Sequence, residues 1–254
     1  MSRDNEECLG DRRRLLGASM GAWARLRHEV GETSWMALSG APSTDFNIAL
    51  CWGEDGRSTI ERILAAIGAA RVPSQLMVCG RALGSVQVLV DAGWACVGAM
   101  PFMRLELDNP PPPTAEVKVI EDKSQIDAAR DLIEQGFGLE QGIGPVAIPD
   151  EMLSGRNHFV IGIYADGLLV GASAMSREGP SAVGWSFTID PQQRGRGYGR
   201  ELAIGINDLC FQRGVTEILC IATAAAEHLY RTIGFKELER WQVWSRRRWM
   251  LAGA

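Results

Sequence analysis

Hydrophobic residues after position 114 recur with a spacing of two in some segments and of three to four in others, which predicts alternating strands and helices. The predicted strands cover residues 115–120, 158–175 as a hairpin with its turn at Asp166-Gly167, 182–190, 216–222 and 241–249. The predicted helices cover 124–137, the segment between the glycine-rich stretch and Gly214, and 224–235 with a stop at Gly234. This order indicates a mixed α/β fold with a strand–helix–strand crossover near its end.

The N-terminal segment also has hydrophobic residues at a helical spacing, namely Leu16, Met20, Trp23, Leu26 and Val30. An alternative is an export signal, because arginines precede a short apolar run and Ala22-x-Ala24 resembles a cleavage site. We favour an ordinary first helix, since the helical spacing continues through Arg25 and Arg27.

Four consecutive prolines, 110–113, give the clearest domain boundary, because proline cannot continue a helix or a central strand. We therefore predict an N-terminal domain over 1–109, a linker over 110–114 and a second domain over 115–254. Aligning Gly93 with Gly234 places "QLMVCG" over "TEILCI", and both halves continue through a helix into a final strand, "FMRLEL" in the first and "QVWSRR" in the second. The first half therefore repeats the element order of the second. The prediction is a duplicated fold: two domains, each a mixed, largely antiparallel sheet flanked by helices.

Composition describes a globular protein that can bury a core: of 254 residues, 46% are hydrophobic and 22% charged. A net charge of −5 argues against nucleic-acid binding, and no apolar run is long enough for a membrane span. The six cysteines form no CxxC pair, which predicts buried reduced thiols, no metal site and a cytoplasmic location. Four tryptophans of the first half are expected in the core rather than in a binding surface: Trp23, Trp35, Trp52 and Trp94.

The stretch "TIDPQQRGRGYGR" (188–200) places three glycines between a predicted strand and a predicted helix. A helix start exposes unpaired amides, and glycines let neighbouring amides converge on an anion such as a diphosphate. Arg194, Arg196 and Arg200 add cationic donors. A Walker loop is excluded because no Lys-Ser or Lys-Thr follows, and the spacing also fails the dinucleotide fingerprint.

These residues resemble the GNAT superfamily of acyl-CoA-dependent N-acyltransferases. Its R/Q-x-x-G-x-G/A signature is met by Arg194 to Gly199, and its A-x-x-x-Y-x-x-x-G-F ending by Ala226, Tyr230 and Gly234-Phe235. The resemblance covers residues 115 to about 250. It reaches the first half only through the repeat, and that half lacks the glycine loop and has Leu89 in the place of Tyr230.

The resemblance implies acetyl-CoA as cosubstrate, with the amides of the 195–200 loop on its diphosphate and Tyr230 as the general acid that protonates the leaving thiolate. The strand Phe187–Ile189 would diverge from strand 216–222, bind the pantetheine arm and polarise the thioester carbonyl. The implied cofactor-binding residues are Phe187, Thr188, Ile189, Arg194, Gly195, Arg196, Gly197, Tyr198, Gly199, Arg200 and Thr223. Family members often have asparagine where this chain has Thr223.

The general base is left unassigned, because the strand Val183–Ile189 contains no carboxylate where family members often have one. The nearby candidates are Glu134, Glu140, Glu151, Glu178, His158 and His228. The expected function is N-acetylation of a primary amine on a small molecule or a peptide. A non-catalytic acyl-CoA-binding protein of the same fold is the alternative.

Overall fold

The computed structural model describes residues 3–153 and 157–250, which form eleven strands and eight α-helices. The strands are β1 Arg27–Val30, β2 Ser34–Leu38, β3 Asn47–Cys51, β4 Gln75–Val78, β5 Ala95–Glu106, β6 Glu116–Ile120, β7 His158–Ala165, β8 Leu168–Glu178, β9 Ser181–Ile189, β10 Glu217–Ile221 and β11 Lys236–Ser245. The helices are α1 Arg3–Ser19, α2 Gly56–Ala70, α3 Gln87–Asp91, α4 Lys123–Phe137, α5 Gly144–Ala147, α6 Tyr198–Gln212, α7 Ala224–Thr232 and α8 Arg247–Met250.

The chain folds into two compact units, called here unit 1 (Met1–Pro101 with Leu238–Ala254) and unit 2 (Phe102–Glu237). The chain passes from one unit to the other within β5 and again within β11. The proline run 110–113 lies inside unit 2. The division into domains 1–109 and 115–254 stays a prediction.

Unit 1 contains an antiparallel meander of β1, β2 and β3, followed by a parallel crossover from β3 through α2 to β4. The last strand of the chain, β11, pairs antiparallel with β4 and closes this sheet. The four tryptophans predicted to be core residues are buried, with Trp23 and Trp35 only 1% exposed. The core interpretation of these aromatic residues is therefore confirmed.

The first helix is shorter than its hydrophobic spacing predicted. The α-helix α1 ends at Ser19, a 3₁₀ turn follows over Met20–Ala22, and Val30 lies in β1. Leu26 and Val30 are exposed by 52% and 41%, so they do not extend the buried face of α1. Leu16, Met20 and Trp23 are buried as expected.

Unit 2 contains a six-stranded sheet in the order β5, β10, β9, β8, β7, β6, in which β5 contributes residues 102–106. All its pairings are antiparallel except the parallel pair β9–β10, which α6 connects. The helices α4 and α6 cover opposite faces, because Thr188 faces α4 while Met175 and Ile218 share a core with Leu202 and Ile206 of α6. The predicted mixed, largely antiparallel sheet flanked by helices is confirmed for this unit.

Most predicted elements of the second half are found in place. The hairpin turns at Asp166 and Gly167, whose φ angles of 50° and 77° suit a type I′ turn. The last strand ends at Ser245 rather than at residue 249, and α8 follows it.

The repeat prediction has one unexpected outcome. The segments "FMRLEL" and "QVWSRR" were expected each to complete the sheet of its own half of the sequence. Instead, residues 102–106 pair with β10 in unit 2, and residues 242–244 pair with β4 in unit 1. Each half of the sequence thus supplies the last strand of the other half's sheet, although the order of elements in the two halves agrees. That the first half is a duplicated, degenerate copy stays a prediction.

No helix in the described part of the chain has the length and apolar character needed to cross a membrane.

Candidate active site

A β-bulge in β9 shapes the centre of the candidate site. Ala172 of β8 lies opposite Thr188 and Ala174 lies opposite Trp185, so β9 carries one extra residue between these pairs. Ser186, in the bulge, has a φ of 55°, which is uncommon for a residue other than glycine. As a result Trp185 and Thr188 face α4, while Phe187 packs into the core on the α6 side.

The parallel strands β9 and β10 diverge immediately before this bulge. Their pairing runs from Ser181 opposite Glu217 to Val183 opposite Leu219. Within the described residues, β9 has no strand partner on its β10 side after Val183. The backbone groups of residues 184–189 that face this side are therefore not paired with another strand. The divergence is the one that the resemblance implied, and it leaves a V-shaped opening between the strands.

The glycine loop lies at the end of β9 and leads into α6. The backbone φ is 77° at Gly195 and 89° at Gly197, values that favour glycine. A Cβ atom at either position would meet no other atom within 4 Å, so the loop leaves open space in front of its backbone. The helix begins at Tyr198, and the Gly197 carbonyl accepts the amides of residues 200 and 201. The amides at the start of such a helix have no acceptor within it.

The arginines of the loop have different environments. Arg194 is tied to the backbone: its Nε donates to the Ile189 carbonyl at 3.2 Å, and its Nη2 donates to the Gly136 carbonyl at 2.8 Å. Arg196 and Arg200 are exposed on the loop and on the first turn of α6. Arg194, although also exposed, thus fixes the loop against α4 through its two backbone acceptors. Arg200 lies 3.8 Å from the Glu201 carboxylate.

A carboxylate also lies in the first turn of α6, where it could oppose anion binding. Glu201 accepts hydrogen bonds from the Thr114 amide at 2.8 Å and hydroxyl at 2.7 Å. The hydroxyl bond is the largest cause that lowers the pKa of Glu201. This carboxylate is therefore engaged by the residue that follows the proline run.

The other predicted cofactor residues surround the opening. Thr188 and Ile189 are buried at the end of β9, Tyr198 is half-buried, and Gly199 lies where a Cβ would be 3.4 Å from Leu229. Thr223 is exposed at the start of α7, and its side chain makes no capping hydrogen bond.

Tyr230 lies between two aromatic rings at the same opening. Its ring centroid is 5.8 Å from that of Phe187 in an edge-on arrangement and 5.1 Å from that of Phe235. Tyr230 is 9% exposed, and burial, with a smaller contribution from Cys220, raises its pKa well above the ordinary value. The phenol is therefore protonated at neutral pH, as a proton donor must be.

The family model described as the acetyltransferase (GNAT) domain matches residues 129–245. The match thus indicates a GNAT acetyltransferase domain over less than half of the chain. The N-alpha-acetyltransferase RimI of Mycobacterium tuberculosis (strain ATCC 25618 / H37Rv) is 36% identical over 100 residues. That alignment covers 37% of this chain and 61% of the relative, so it spans less than two thirds of the relative's length.

Two solved structures resemble the whole chain more broadly. A GCN5-related N-acetyltransferase from Kribbella flavida has a TM-score of 0.66 at 17% identity, and covers 92% of this chain and 95% of its own. A GCN5-related N-acetyltransferase from Sphaerobacter thermophilus has a TM-score of 0.59 at 16% identity, and covers 84% of this chain and 76% of its own. At these identities the likeness shows a shared fold.

Within the GNAT domain, the loop 138–153 between α4 and β7 is held by three side chains. Glu134 accepts the amides of Gly142 at 2.7 Å and Gly144 at 2.6 Å. The buried Arg130 donates from Nε and Nη2 to the Ile148 carbonyl, and Trp185 donates from Nε1 to the Ala147 carbonyl at 3.0 Å. The loop is therefore fixed against α4 and against β9 next to the bulge.

The candidates for a general base are dispersed around the GNAT domain. The carboxylate of Glu134 is occupied by the loop amides, and Glu140, Glu151 and His228 are exposed. His158 is half-buried at the start of β7, where burial lowers its pKa. The base stays unassigned.

The cysteines correct one prediction. All six are free thiols, but only four are buried, since Cys8 and Cys96 are exposed. Burial raises the pKa of Cys51 to about 11 and that of Cys210 to about 12. In the described residues, no group of three or more His, Cys, Asp or Glu side chains is arranged to hold a metal ion.

Proposed function

We propose that the protein transfers an acetyl group from acetyl-CoA to a primary amine of a small molecule or a peptide. The observation that carries the proposal is the V-shaped opening between β9 and β10, which has the glycine-rich start of α6 at its mouth. An extended chain with amide groups fits an unpaired strand edge, and a diphosphate fits a helix start.

The residues present fit this cosubstrate. The loop 195–200 offers backbone amides in front of open space, and Arg196 and Arg200 add exposed positive charge. The unpaired backbone of residues 184–189 would bind the pantetheine arm, with Phe187, Thr188 and Ile189 at the thioester end. The exposed Thr223 would add a hydroxyl contact. The thioester supplies the acyl group when it is bound.

Tyr230 would donate the proton that the departing thiolate needs. Its position between Phe187 and Phe235 limits its motion, and its raised pKa keeps the proton on the phenol until a stronger base forms nearby. An amine acceptor must be neutral to attack, and a base not yet identified would remove its proton.

The acceptor would approach from the side of the fixed loop 138–153. The M. tuberculosis relative is an N-alpha-acetyltransferase, which favours the α-amino group of a peptide as the acceptor. The six free thiols support our expectation that the protein works in the cytoplasm.

A non-catalytic acyl-CoA-binding protein is the second candidate. It is favoured by the absence of a carboxylate from Val183–Ile189 and by the engagement of Glu134 with loop amides. Both candidates require the same cosubstrate site, and only turnover separates them.

Binding is tested first by calorimetric titration with acetyl-CoA. We expect one site per chain, abolished by Gly197→Glu, because a carboxylate would enter the anion site. Gly179→Glu is the matched control, since Gly179 also has a positive φ and open space but lies in the exposed β8–β9 turn. Absence of binding would refute both candidates, and two sites would show that the first half also binds acetyl-CoA although it lacks the glycine loop.

Turnover is then measured as release of free thiol with a panel of peptides and small-molecule amines. The acetyltransferase proposal predicts release with at least one amine and a loss of about 10²-fold or more in Tyr230→Phe. Acetyl-CoA binding without release for every amine would favour the binding protein instead.

A further inference from the structure

A small cavity of about 30 Å³ lies beside the V-shaped opening. Phe187 and Tyr230 line it, and so do Gly184 and Ile218, which adjoin the last pair of β9 and β10. Its lining is mostly apolar: Ser173, Met175, Gly184, Phe187, Ala203, Ile206, Asn207, Ile218, Cys220, Tyr230 and Phe235. Gly184 and Ala203 contribute no bulky side chain to this lining.

Asn207 of α6 introduces an amide into this apolar lining. It is 7% exposed, and no hydrogen-bond partner for its side chain is found among residues 3–153 and 157–250. The other buried asparagine of the described chain, Asn47, behaves differently. Its oxygen accepts the amides of Ser39 and Gly40, and its nitrogen donates to the Ala41 and Ser43 carbonyls.

A buried amide without a partner is costly, so native proteins satisfy such groups with protein, water or ligand atoms. The neighbouring polar group Ser173 is already used, since its hydroxyl donates to the Trp185 carbonyl. The cavity itself has room for about one atom of the size of a water oxygen or a methyl carbon. The cavity therefore offers Asn207 a place for a single polar partner atom.

We propose that this cavity receives the end of the acyl group and that Asn207 selects a donor with a hydroxyl there over one with a methyl. The inference rests on the proposed function, which places the thioester between the Phe187–Ile189 backbone and Tyr230. Phe187 and Tyr230 also line the cavity, so it adjoins the proposed position of the thioester. An acyl group one atom longer than acetyl fills it, and with acetyl-CoA one water bound to Asn207 occupies the same place.

The matched ligands are hydroxyacetyl-CoA and propionyl-CoA, which differ only by a terminal hydroxyl in place of a methyl. Calorimetry on the full chain measures the dissociation constants of both, together with acetyl-CoA. Wild type should bind hydroxyacetyl-CoA about 2- to 10-fold more tightly than propionyl-CoA, the range expected for one hydrogen bond. Asn207→Leu should reverse this order, because it replaces the amide with an apolar side chain.

Ile204→Leu is the matched control, because Ile204 is buried in the same helix but does not line the cavity. This control should leave the ratio of the dissociation constants of hydroxyacetyl-CoA and propionyl-CoA unchanged. Thermal unfolding of Asn207→Leu should show a melting temperature no lower than that of wild type, since an unpaired buried amide is removed. Should this variant not fold, Asn207→Ala takes its place and is expected to lose the preference for the hydroxyl.

The failures are distinguishable. If no CoA thioester binds, the proposed function and this inference are both wrong. If acetyl-CoA binds and Gly197→Glu abolishes binding, but wild type prefers propionyl-CoA or Asn207→Leu leaves the ratio unchanged, the inference alone is overturned.

Discussion

Gly136 of α4 and Thr188 of β9 are in such close contact that a Cβ atom at Gly136 would lie 1.8 Å from the Thr188 hydroxyl oxygen. The Gly136 carbonyl also accepts a hydrogen bond from Arg194 at the entrance of the glycine loop. One residue without a side chain thus fixes the distance between α4, the strand next to the bulge and the glycine loop.

Gly136→Ala should therefore destabilise the protein by about 1–3 kcal/mol, because the added methyl group forces helix and strand apart. The measurement is the free energy of unfolding in urea. The control is Gly68→Ala in α2, where a Cβ atom meets nothing within 4 Å and helix propensity predicts a small gain. Equal effects of the two substitutions would contradict the contact described.

Arg194 and Arg196 should differ in what their loss affects. Arg194→Gln removes the bonds to the Ile189 and Gly136 carbonyls and should lower the free energy of unfolding by about 1 kcal/mol. Arg196→Gln should change stability by less than about 0.5 kcal/mol. It should instead weaken acetyl-CoA binding about 2- to 5-fold, and less at high salt.

Calorimetry at two salt concentrations and urea denaturation together test this pair. A stability loss in Arg196→Gln equal to that in Arg194→Gln would show that both arginines have the same role.

Arg130 should affect the acceptor rather than acetyl-CoA. Arg130→Met leaves the buried Ile148 carbonyl without its two donors and should cost about 1–3 kcal/mol of stability. The freed loop should raise the KM of the amine acceptor and the hydrogen exchange of residues 142–148, with acetyl-CoA affinity unchanged. Arg57→Met, which breaks an exposed ion pair with Glu61, is the control and should cost less than about 1 kcal/mol. Weaker acetyl-CoA binding in Arg130→Met would refute this assignment.

Tyr230 should make stability depend on alkaline pH. Burial raises its pKa in the folded protein above the ordinary value near ~10, so an unfolded chain loses this proton first as the pH rises. The stabilisation is complete below about pH 10 and falls above it by about 1.4 kcal/mol per pH unit until the folded pKa is reached.

The test compares the free energy of unfolding of wild type and Tyr230→Phe between pH 8 and pH 11. The thiols of Cys51 and Cys210, whose pKa values are also raised, contribute equally to both proteins, so the difference reports the phenol together with its interaction with Cys220. Parallel curves would contradict the burial of Tyr230.

Local signals in the sequence were sufficient to predict the glycine loop and the strand and helix that flank it. Glycine with a positive φ has a direct signature, so Gly195, Gly197 and the turn at Gly167 could be predicted. The β-bulge could not be predicted, because the φ of 55° at Ser186 results from the pairing of β9 with β8 and not from a preference of serine.

Contacts between segments that are distant in sequence could not be predicted either. Nothing in "QQRGRG" distinguishes Arg194, which binds the α4 carbonyl, from the exposed Arg196. Asn207 lies one position from the predicted apolar face of α6, and its burial depends on how closely β9 and β10 approach the helix. The only sequence signal for it was an asparagine amid a largely apolar stretch of the helix.

The exchanged last strands limit how the chain can be shortened. A fragment that begins after the proline run would lack residues 102–106, so β10 would present an unpaired edge of the kind that promotes association between chains. The same fragment would retain residues 242–244 without β4, although Val243 and Trp244 are buried within unit 1 in the folded protein. Each half of the sequence thus contains a strand that pairs within the sheet of the other half. The two halves therefore have to be kept together when the protein is expressed or engineered.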